Sequence, residues 1–258
     1  MKKYLPLALA GLVGATMVAP SIAGAMTIHN VAYDSTPVKG TVSVPSMGPE
    51  AYSFDQIGNE VLLRPHTTIG HVKVTMVSFA CQSGQWNAGC LTTPGSTFKA
   101  PITLNLYRYS KSNPATGEIK PGRLITSVTK TFSIRYRPSS QSAGESRYMG
   151  RDHALHNGIA QTISFPVNRH LANDVVWTVG YNTNTSGLHP LGHSGPMDSL
   201  NVGLSPATRL GHDRFPDSII WDTRVASFAG GSPFVAGELN LDSHGWAGYV
   251  PAARFTVR

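Results

Sequence analysis

Apolar residues recur at every second position over much of the chain. Val72, Val74 and Met76, for example, alternate with Lys73 and Thr75. Successive side chains of a β-strand point to opposite faces, so this alternation predicts strands with one buried and one solvated face. The same pattern occurs in the stretches 102–106, 132–136, 163–167, 175–181, 200–204 and 255–257. Within 175–181 it makes Trp177 a predicted core residue.

Turn-forming residues separate these strands, and no helical pattern competes with them. Residues 113–122 are rich in Pro and Gly, and the polar stretches 138–157 and 182–196 predict long exposed loops. Beyond residue 25 no segment has apolar residues at i, i+3, i+4 and i+7, so parallel sheets with crossover helices are disfavoured. We therefore expect an all-β fold, an antiparallel jelly-roll-like β-sandwich with essentially no helix after the signal peptide. A division near residue 140 into two small sandwiches is the alternative.

The N-terminal segment has the three parts of a secretory signal peptide. Lys2 and Lys3 precede an apolar run from residue 5 to 18, and Ala23 and Ala25 supply a small-residue cleavage site. We expect residues 1–25 to be removed and residues 26–258 to form one secreted, extracellular domain. The mature protein contains no second long apolar segment, so it is not expected to be embedded in a membrane.

Composition excludes several other classes of protein. The chain has 258 residues, of which 41% are hydrophobic and 14% charged, with only two cysteines. These values argue against a disordered, coiled-coil or disulfide-dense protein. The formal charge of +7 becomes +5 when Lys2 and Lys3 are removed with the signal peptide.

The charges are unevenly distributed along the chain. Ten basic and two acidic residues lie between Lys99 and Arg151. This region could attract acidic polymers, but Lys130, Arg135 and Arg137 alternate with apolar residues, which favours a solvated strand face. No nucleic-acid-binding motif is present, so specific nucleic-acid binding is not expected.

The two cysteines enclose a short polar loop with an aromatic residue in its middle. In an oxidising compartment Cys81 and Cys90 are expected to form a disulfide. An aromatic side chain on such a cross-linked loop loses little entropy on binding, so Trp86 is a candidate ligand-binding residue. Trp246 and the neighbouring Tyr249 are the next candidates. The alternative is that these side chains fold back and cap an open end of the sandwich.

Some histidines and aspartates are candidates for a metal site, although none has a diagnostic spacing. Paired histidines in apparent loops and a set of aspartates could supply ligands to a metal or to calcium. The candidates are His153, His156, His189, His193, Asp198, Asp213, Asp217 and Asp222. Exposed histidines and turn-forming aspartates explain these residues equally well, so no cofactor is predicted and calcium is kept as the alternative.

Six segments of the sequence are characteristic: residues 81–98, 101–107, 132–139, 180–185, 198–204 and 248–255. Together they resemble a group of exported bacterial β-rich proteins, largely from actinobacteria. The resemblance spans most of residues 26–258 and implies a signal peptide and a sandwich fold, but no particular activity. Members of that group often carry further cysteines in the region corresponding to 140–157, where this chain has none.

These observations favour a secreted, non-enzymatic protein that binds a glycan or another component of the cell envelope. A structural envelope protein that contacts other proteins is the first alternative. A secreted polysaccharide hydrolase is the second, but the glutamates show no spacing that would establish a catalytic pair. The sequence specifies neither the ligand nor the number of subunits.

Overall fold

Antiparallel strands form nearly all of the regular structure. The computed structural model describes residues 30–65, 67–110, 121–142, 145–213, 219–223, 239–242 and 248–258, with 219–223 and 239–242 described by their backbone. The predicted signal peptide lies outside these ranges. In chain order the elements are β1 (Val31–Asp34), β2 (Ser46–Met47), α1 (Pro49–Tyr52), β3 (Phe54–Leu62), β4 (Thr68–Ser78), β5 (Ser83–Gln85), β6 (Ala88–Leu91), β7 (Thr97–Tyr109), β8 (Pro121–Arg135), β9 (Tyr148–Met149), β10 (Leu155–His156), β11 (Ile159–His170), β12 (Asp174–Gly180), a 3-10 helix (Pro196–Ser199), β13 (Leu200–Ser205), β14 (Ile219–Thr223), β15 (Leu239–Asp242), β16 (Val250–Pro251) and β17 (Ala253–Val257). None of the helices in these ranges is long and apolar enough to span a membrane.

Two large sheets account for most of these strands. The first has the order β1-β17-β4-β13-β16, with β2 paired to β13. β17 and β13 pair with successive parts of one edge of β4. Along the other edge, β11 pairs with the whole length of β4. The second sheet has the order β15-β14-β3-β12-β7-β8. The antiparallel, sandwich-like all-β fold predicted from the alternation is confirmed.

The hydrophobic core lies between the two sheets. Val72, Val74 and Met76 of β4 belong to the same buried cluster as Leu104 of β7 and Trp177 of β12. Trp177 is completely buried, as its register with Val175 and Val179 predicted. Each such apolar side chain contributes about 1.5–3 kcal/mol when removed from water, so the alternating positions supply the main driving force for this fold.

Side chains join the two sheets where the edge strands β8 and β11 meet. The amide of Gln161 accepts a hydrogen bond from the Arg135 N–H (3.1 Å) and donates one to the Ser133 carbonyl (2.8 Å). The Arg135 guanidinium donates to the Ala160 carbonyl at 2.7 Å, and Lys130 Nζ donates to the Ser164 carbonyl at 3.3 Å. Lys130 and Arg135 are exposed, as predicted, but they also connect the sheets.

Two of the predicted loop regions contain strands. β8 begins at Pro121, so the last two residues of the predicted turn 113–122 belong to it, and 111–120 lie outside the described ranges. The predicted loop 138–157 contains β9 and β10, which pair with each other and bury Tyr148. Strands of two residues are too short to produce a visible alternation, which is why the pattern did not indicate them.

Candidate functional site

A short hairpin in the connection between β4 of the first sheet and β7 of the second carries Trp86. We call residues 81–90 the Trp86 hairpin. Its strands β5 and β6 pair with each other, and the predicted disulfide between Cys81 and Cys90 is present, with the two Cα atoms 5.5 Å apart. Gly84 has a φ of 77°, and a Cβ atom there would lie 2.1 Å from the Gly89 carbonyl oxygen, so the close approach of the two strands requires glycine.

A buried arginine fixes the tip of this hairpin. Nη1 of Arg137 donates to the carbonyl oxygens of Trp86 and Ser146, both at 2.7 Å. Its guanidinium carbon lies 5.5 Å from the ring centre of Tyr148, a cation–π geometry. Desolvation lowers the pKa of the Arg137 guanidinium, and the nearby Tyr148 opposes this shift.

The prediction that Arg137 lies on a solvated strand face is wrong, because its side chain is completely buried. β8 ends at Arg135, so the alternation no longer applies two residues later, and the chain turns beneath the Trp86 hairpin. Pro138, which follows directly, cannot donate a ladder hydrogen bond and is consistent with the end of the strand near this point.

The indole of Trp86 is partly packed and partly open to solvent. It makes an edge-to-face contact with Phe79, with ring centres 6.1 Å apart and an interplanar angle of 77°. Trp86 nevertheless retains 44% of its maximal exposure, so the contact leaves much of the ring accessible. The Phe79 N–H in turn donates to the Ser199 carbonyl at 2.8 Å, which ties this aromatic pair to the 3-10 helix.

Asp198 organises the loop that precedes the 3-10 helix. One carboxylate oxygen accepts the Asn184 N–H at 2.8 Å, and the other accepts the Gly195 N–H at 2.9 Å. The second of these bonds caps the 3-10 helix, while the first attaches the preceding loop to it. Asp198 therefore acts as a structural acceptor at this position.

Glu50 of α1 performs a similar task for the neighbouring loop. Its Oε1 accepts hydrogen bonds from the Thr183 hydroxyl (2.6 Å), the Thr185 hydroxyl (2.9 Å) and the Thr185 N–H (3.2 Å). Gly48, which precedes α1, allows close packing, because a Cβ atom there would lie 2.3 Å from Asn201 Oδ1. The sequence did not single out this role of Glu50, since its partners lie more than 130 residues away.

Two clefts meet at Trp86. The larger has a volume of about 490 Å³ and the smaller about 240 Å³. Trp86, Asp198 and Ser199 line both, so these three residues form the boundary between the clefts. The larger cleft is also lined by Gln82, Gln85, Tyr136 and Ser194, and the smaller by Gly48, Glu50, Ala51, Phe79 and Asn201. An exposed indole thus stands among amides, hydroxyls and carboxylates.

Of the three predicted ligand-binding residues, the structure places Trp86 in these clefts. Tyr249 is half-buried and packs against the hydrophobic core, and it lines neither cleft. Trp246 lies outside the described residues.

The candidate metal ligands have other contacts. Nε2 of His156 lies 2.9 Å and 3.0 Å from the two carboxylate oxygens of Asp152, and Nδ1 of His193 lies 3.1 Å from the Leu191 carbonyl oxygen. His153 and His189 are exposed, and Asp213 accepts a hydrogen bond from the Asn59 amide. Asp217 and the side chain of Asp222 lie outside what the structure describes. Within the described ranges, no three His, Cys, Asp or Glu side chains come together as a metal site would require.

Comparison of the chain with protein-family models, with curated proteins and with solved structures found no match. The interpretation of the site therefore depends on the geometry of Trp86 and the two clefts beside it.

Proposed function

We propose that this protein is a secreted, non-enzymatic binding protein that recognises carbohydrate of the cell envelope through Trp86. The observation that carries the proposal is an indole with 44% of its surface exposed, on a disulfide-closed hairpin, at the boundary between two polar-lined clefts. Sugar rings have apolar C–H faces and a periphery of hydroxyl groups. An aromatic face surrounded by amides, hydroxyls and carboxylates complements both features.

The fixed position of Trp86 supports this proposal. The disulfide closes the base of the hairpin, Arg137 holds the carbonyl of Trp86 itself, and Phe79 contacts the indole. Because these contacts exist before any ligand arrives, binding would lose little conformational entropy in the loop. The exposed part of the ring is thus available for stacking without rearrangement.

The proposed extracellular location has two independent supports. The first is the signal-like segment at residues 1–25, and the second is the disulfide, since such bonds persist mainly in oxidising compartments. Fractionation of the native cells tests the location: the protein should be found outside the cytoplasm and without residues 1–25. A full-length chain in the cytoplasm would contradict it.

The carbohydrate proposal is tested by titrating the purified protein with short neutral oligosaccharides chosen from a glycan array. We expect Trp86→Ala to weaken binding at least about tenfold and Trp86→Phe to retain part of the affinity. Leu124→Ala is the matched control, because Leu124 is 45% exposed but lines neither cleft. An empty array together with an empty cell-wall pull-down would reject carbohydrate as the ligand. Specific protein cross-links on the cell surface would then favour the structural alternative.

A polysaccharide hydrolase is a second candidate because Glu50 and Asp198 both line the smaller cleft. Glycosidases place two carboxylic groups on opposite sides of the scissile bond. Here, however, both Asp198 oxygens and one Glu50 oxygen accept hydrogen bonds from the protein, which favours a structural role. Release of reducing sugars by the wild type, abolished by Glu50→Gln with binding retained, would establish the hydrolase. Binding without any release of sugar supports the proposal made above.

A further inference from the structure

A third cleft lies away from Trp86, where β8, β9 and β11 come together. Its volume is about 200 Å³, and its lining shares no residue with the two clefts at Trp86. Val42, Pro138, Met149 and Ile159 form its apolar walls, and Arg135 and Arg151 supply its charge. We call it the basic cleft. Among the residues that the structure describes, two arginines and no acidic residue line it.

The two guanidinium groups are oriented by the protein without being neutralised. Nη2 of Arg135 donates to the Ala160 carbonyl at 2.7 Å, and Nη2 of Arg151 donates to the Gly40 carbonyl at 3.0 Å. In the part of the chain that the structure describes, neither arginine lies within ion-pair distance of a carboxylate. An arginine has five N–H donors, so both side chains keep donors for a ligand.

The acidic residues near the basic cleft already have partners. The Asp152 carboxylate contacts Nε2 of His156, and Glu145 pairs with Arg147 at 3.0 Å. Gly150 also contributes to the shape of the cleft: a Cβ atom there would lie 2.5 Å from Asp152 Oδ1 and 2.6 Å from His156 Cδ2. The backbone therefore lies close beneath this ion pair, and the wall of the cleft carries no side chain at that position.

We propose that the basic cleft binds an oxyanionic group, a carboxylate or a phosphate, attached to a compact partly apolar body. Guanidinium groups form charge-assisted, often bidentate hydrogen bonds with both kinds of oxyanion. Liquid water occupies about 30 Å³ per molecule, so the volume holds the equivalent of about six or seven waters, enough for one acidic sugar ring or one phosphorylated end group. The inference does not depend on the proposed function, because the two sites have separate linings.

The test uses the whole mature protein, residues 26–258, with the substitution Trp86→Ala, so that sugar binding at Trp86 does not contribute. Glucuronate, inorganic phosphate and neutral glucose are titrated separately at low ionic strength and followed by amide chemical shifts. We expect glucuronate, phosphate or both to bind, with shifts at residues 148–151 and 159–160, and glucose not to bind there. Glucuronate alone would identify a carboxylate as the ligand group, and phosphate alone would identify a phosphate.

Arg151→Gln is the decisive variant, because Arg151 is exposed and its replacement is expected to leave the fold intact. It should weaken binding of the anion about tenfold. Arg147→Gln removes the same charge four residues away, from a side chain paired with Glu145 outside the cleft, and should leave binding unchanged. Equal losses in both variants would show that only the general positive field attracts the anion and would overturn the site. Absence of binding by either anion, or equal binding of glucose in the cleft, would also overturn it.

Discussion

The Trp86 hairpin and the hairpin formed by β9 and β10 share one buried guanidinium but are closed by different chemistry. Arg137 donates to the Trp86 carbonyl in the first hairpin and stacks near Tyr148 of the second. The first is closed by a disulfide, and the second by the exposed pair of Asp152 and His156. A covalent bond holds its loop independently of acid, whereas the hydrogen bond between His156 and Asp152 depends on the charge of the Asp152 carboxylate. The hairpin that presents Trp86 therefore has the more permanent closure.

The largest effect is expected from removing the guanidinium that both hairpins share. Arg137→Met leaves the carbonyl groups of Trp86 and Ser146 without their 2.7 Å donors. Hydrogen bonds to charged groups contribute about 1.5–3 kcal/mol each, so the two together imply a loss of about 3–6 kcal/mol in the free energy of unfolding. Urea denaturation measures this loss.

Arg135→Met is the matched control for that experiment, because Arg135 is exposed and its guanidinium makes one hydrogen bond, to the Ala160 carbonyl. Because water competes for this exposed hydrogen bond, its loss should lower the free energy of unfolding by only about 1 kcal/mol. Equal losses in the two variants would mean that Arg137 is not the common anchor of the two hairpins.

Opening the disulfide is expected to have a smaller effect, confined to one hairpin. For a loop this short, loop-closure entropy predicts that the double variant Cys81→Ser, Cys90→Ser loses about 2–3 kcal/mol in the free energy of unfolding. Oligosaccharide affinity should fall with it, because Trp86 loses its fixed position. Amide exchange should accelerate in residues 81–90 and remain unchanged in residues 148–156. Faster exchange in both hairpins alike would contradict their independent closure.

The smallest effect is expected from acid, and it should appear in the other hairpin. The hydrogen bond from His156 holds the pKa of Asp152 below the usual range for an aspartate. A carboxyl group whose pKa is lower in the folded state stabilises that state at neutral pH. This contribution is lost as the pH falls from the pKa of the carboxyl group in the unfolded chain through its lower pKa in the folded state. Below about pH 4, the protection of amides in β9 and β10, taken relative to the intrinsic exchange rate at each pH, should therefore fall, while the protection around Trp86 should not.

Asp152→Asn serves as the control for the acid experiment and should remove most of this pH dependence. Part of the pH dependence should remain, because Arg147 lowers the pKa of Glu145 as well. An unchanged acid response in Asp152→Asn would show that the pair with His156 does not close the second hairpin.

The parts of the fold that alternation governs could be predicted from the sequence. Trp177 is predicted to lie in the core because the residues two positions before and after it are apolar. Such a prediction needs only the pattern of residues along one face of a strand. The disulfide followed in the same way from two cysteines and a short polar loop. Both are properties of a local segment, and the structure confirms both.

The candidate site depended on contacts that local patterns do not encode. Trp86 was singled out because it sits between two cysteines, but its neighbours Glu50 and Asp198 come from segments far away in the chain. The alternation predicts an exposed Arg137, but β8 ends at Arg135 and the alternation does not apply beyond it. Tertiary packing, and not periodicity, determines where a side chain goes once a strand has ended.

The side-chain amide of Gln161 protects part of the exposed edge of β8 from pairing with another strand. Unpaired strand edges can form hydrogen bonds with strands of other chains, which leads to aggregation. By accepting from the Arg135 N–H and donating to the Ser133 carbonyl, this single side chain occupies the backbone groups that an incoming strand would use. One glutamine thus replaces a missing rung of the ladder at the C-terminal end of β8, where it hinders the addition of another strand.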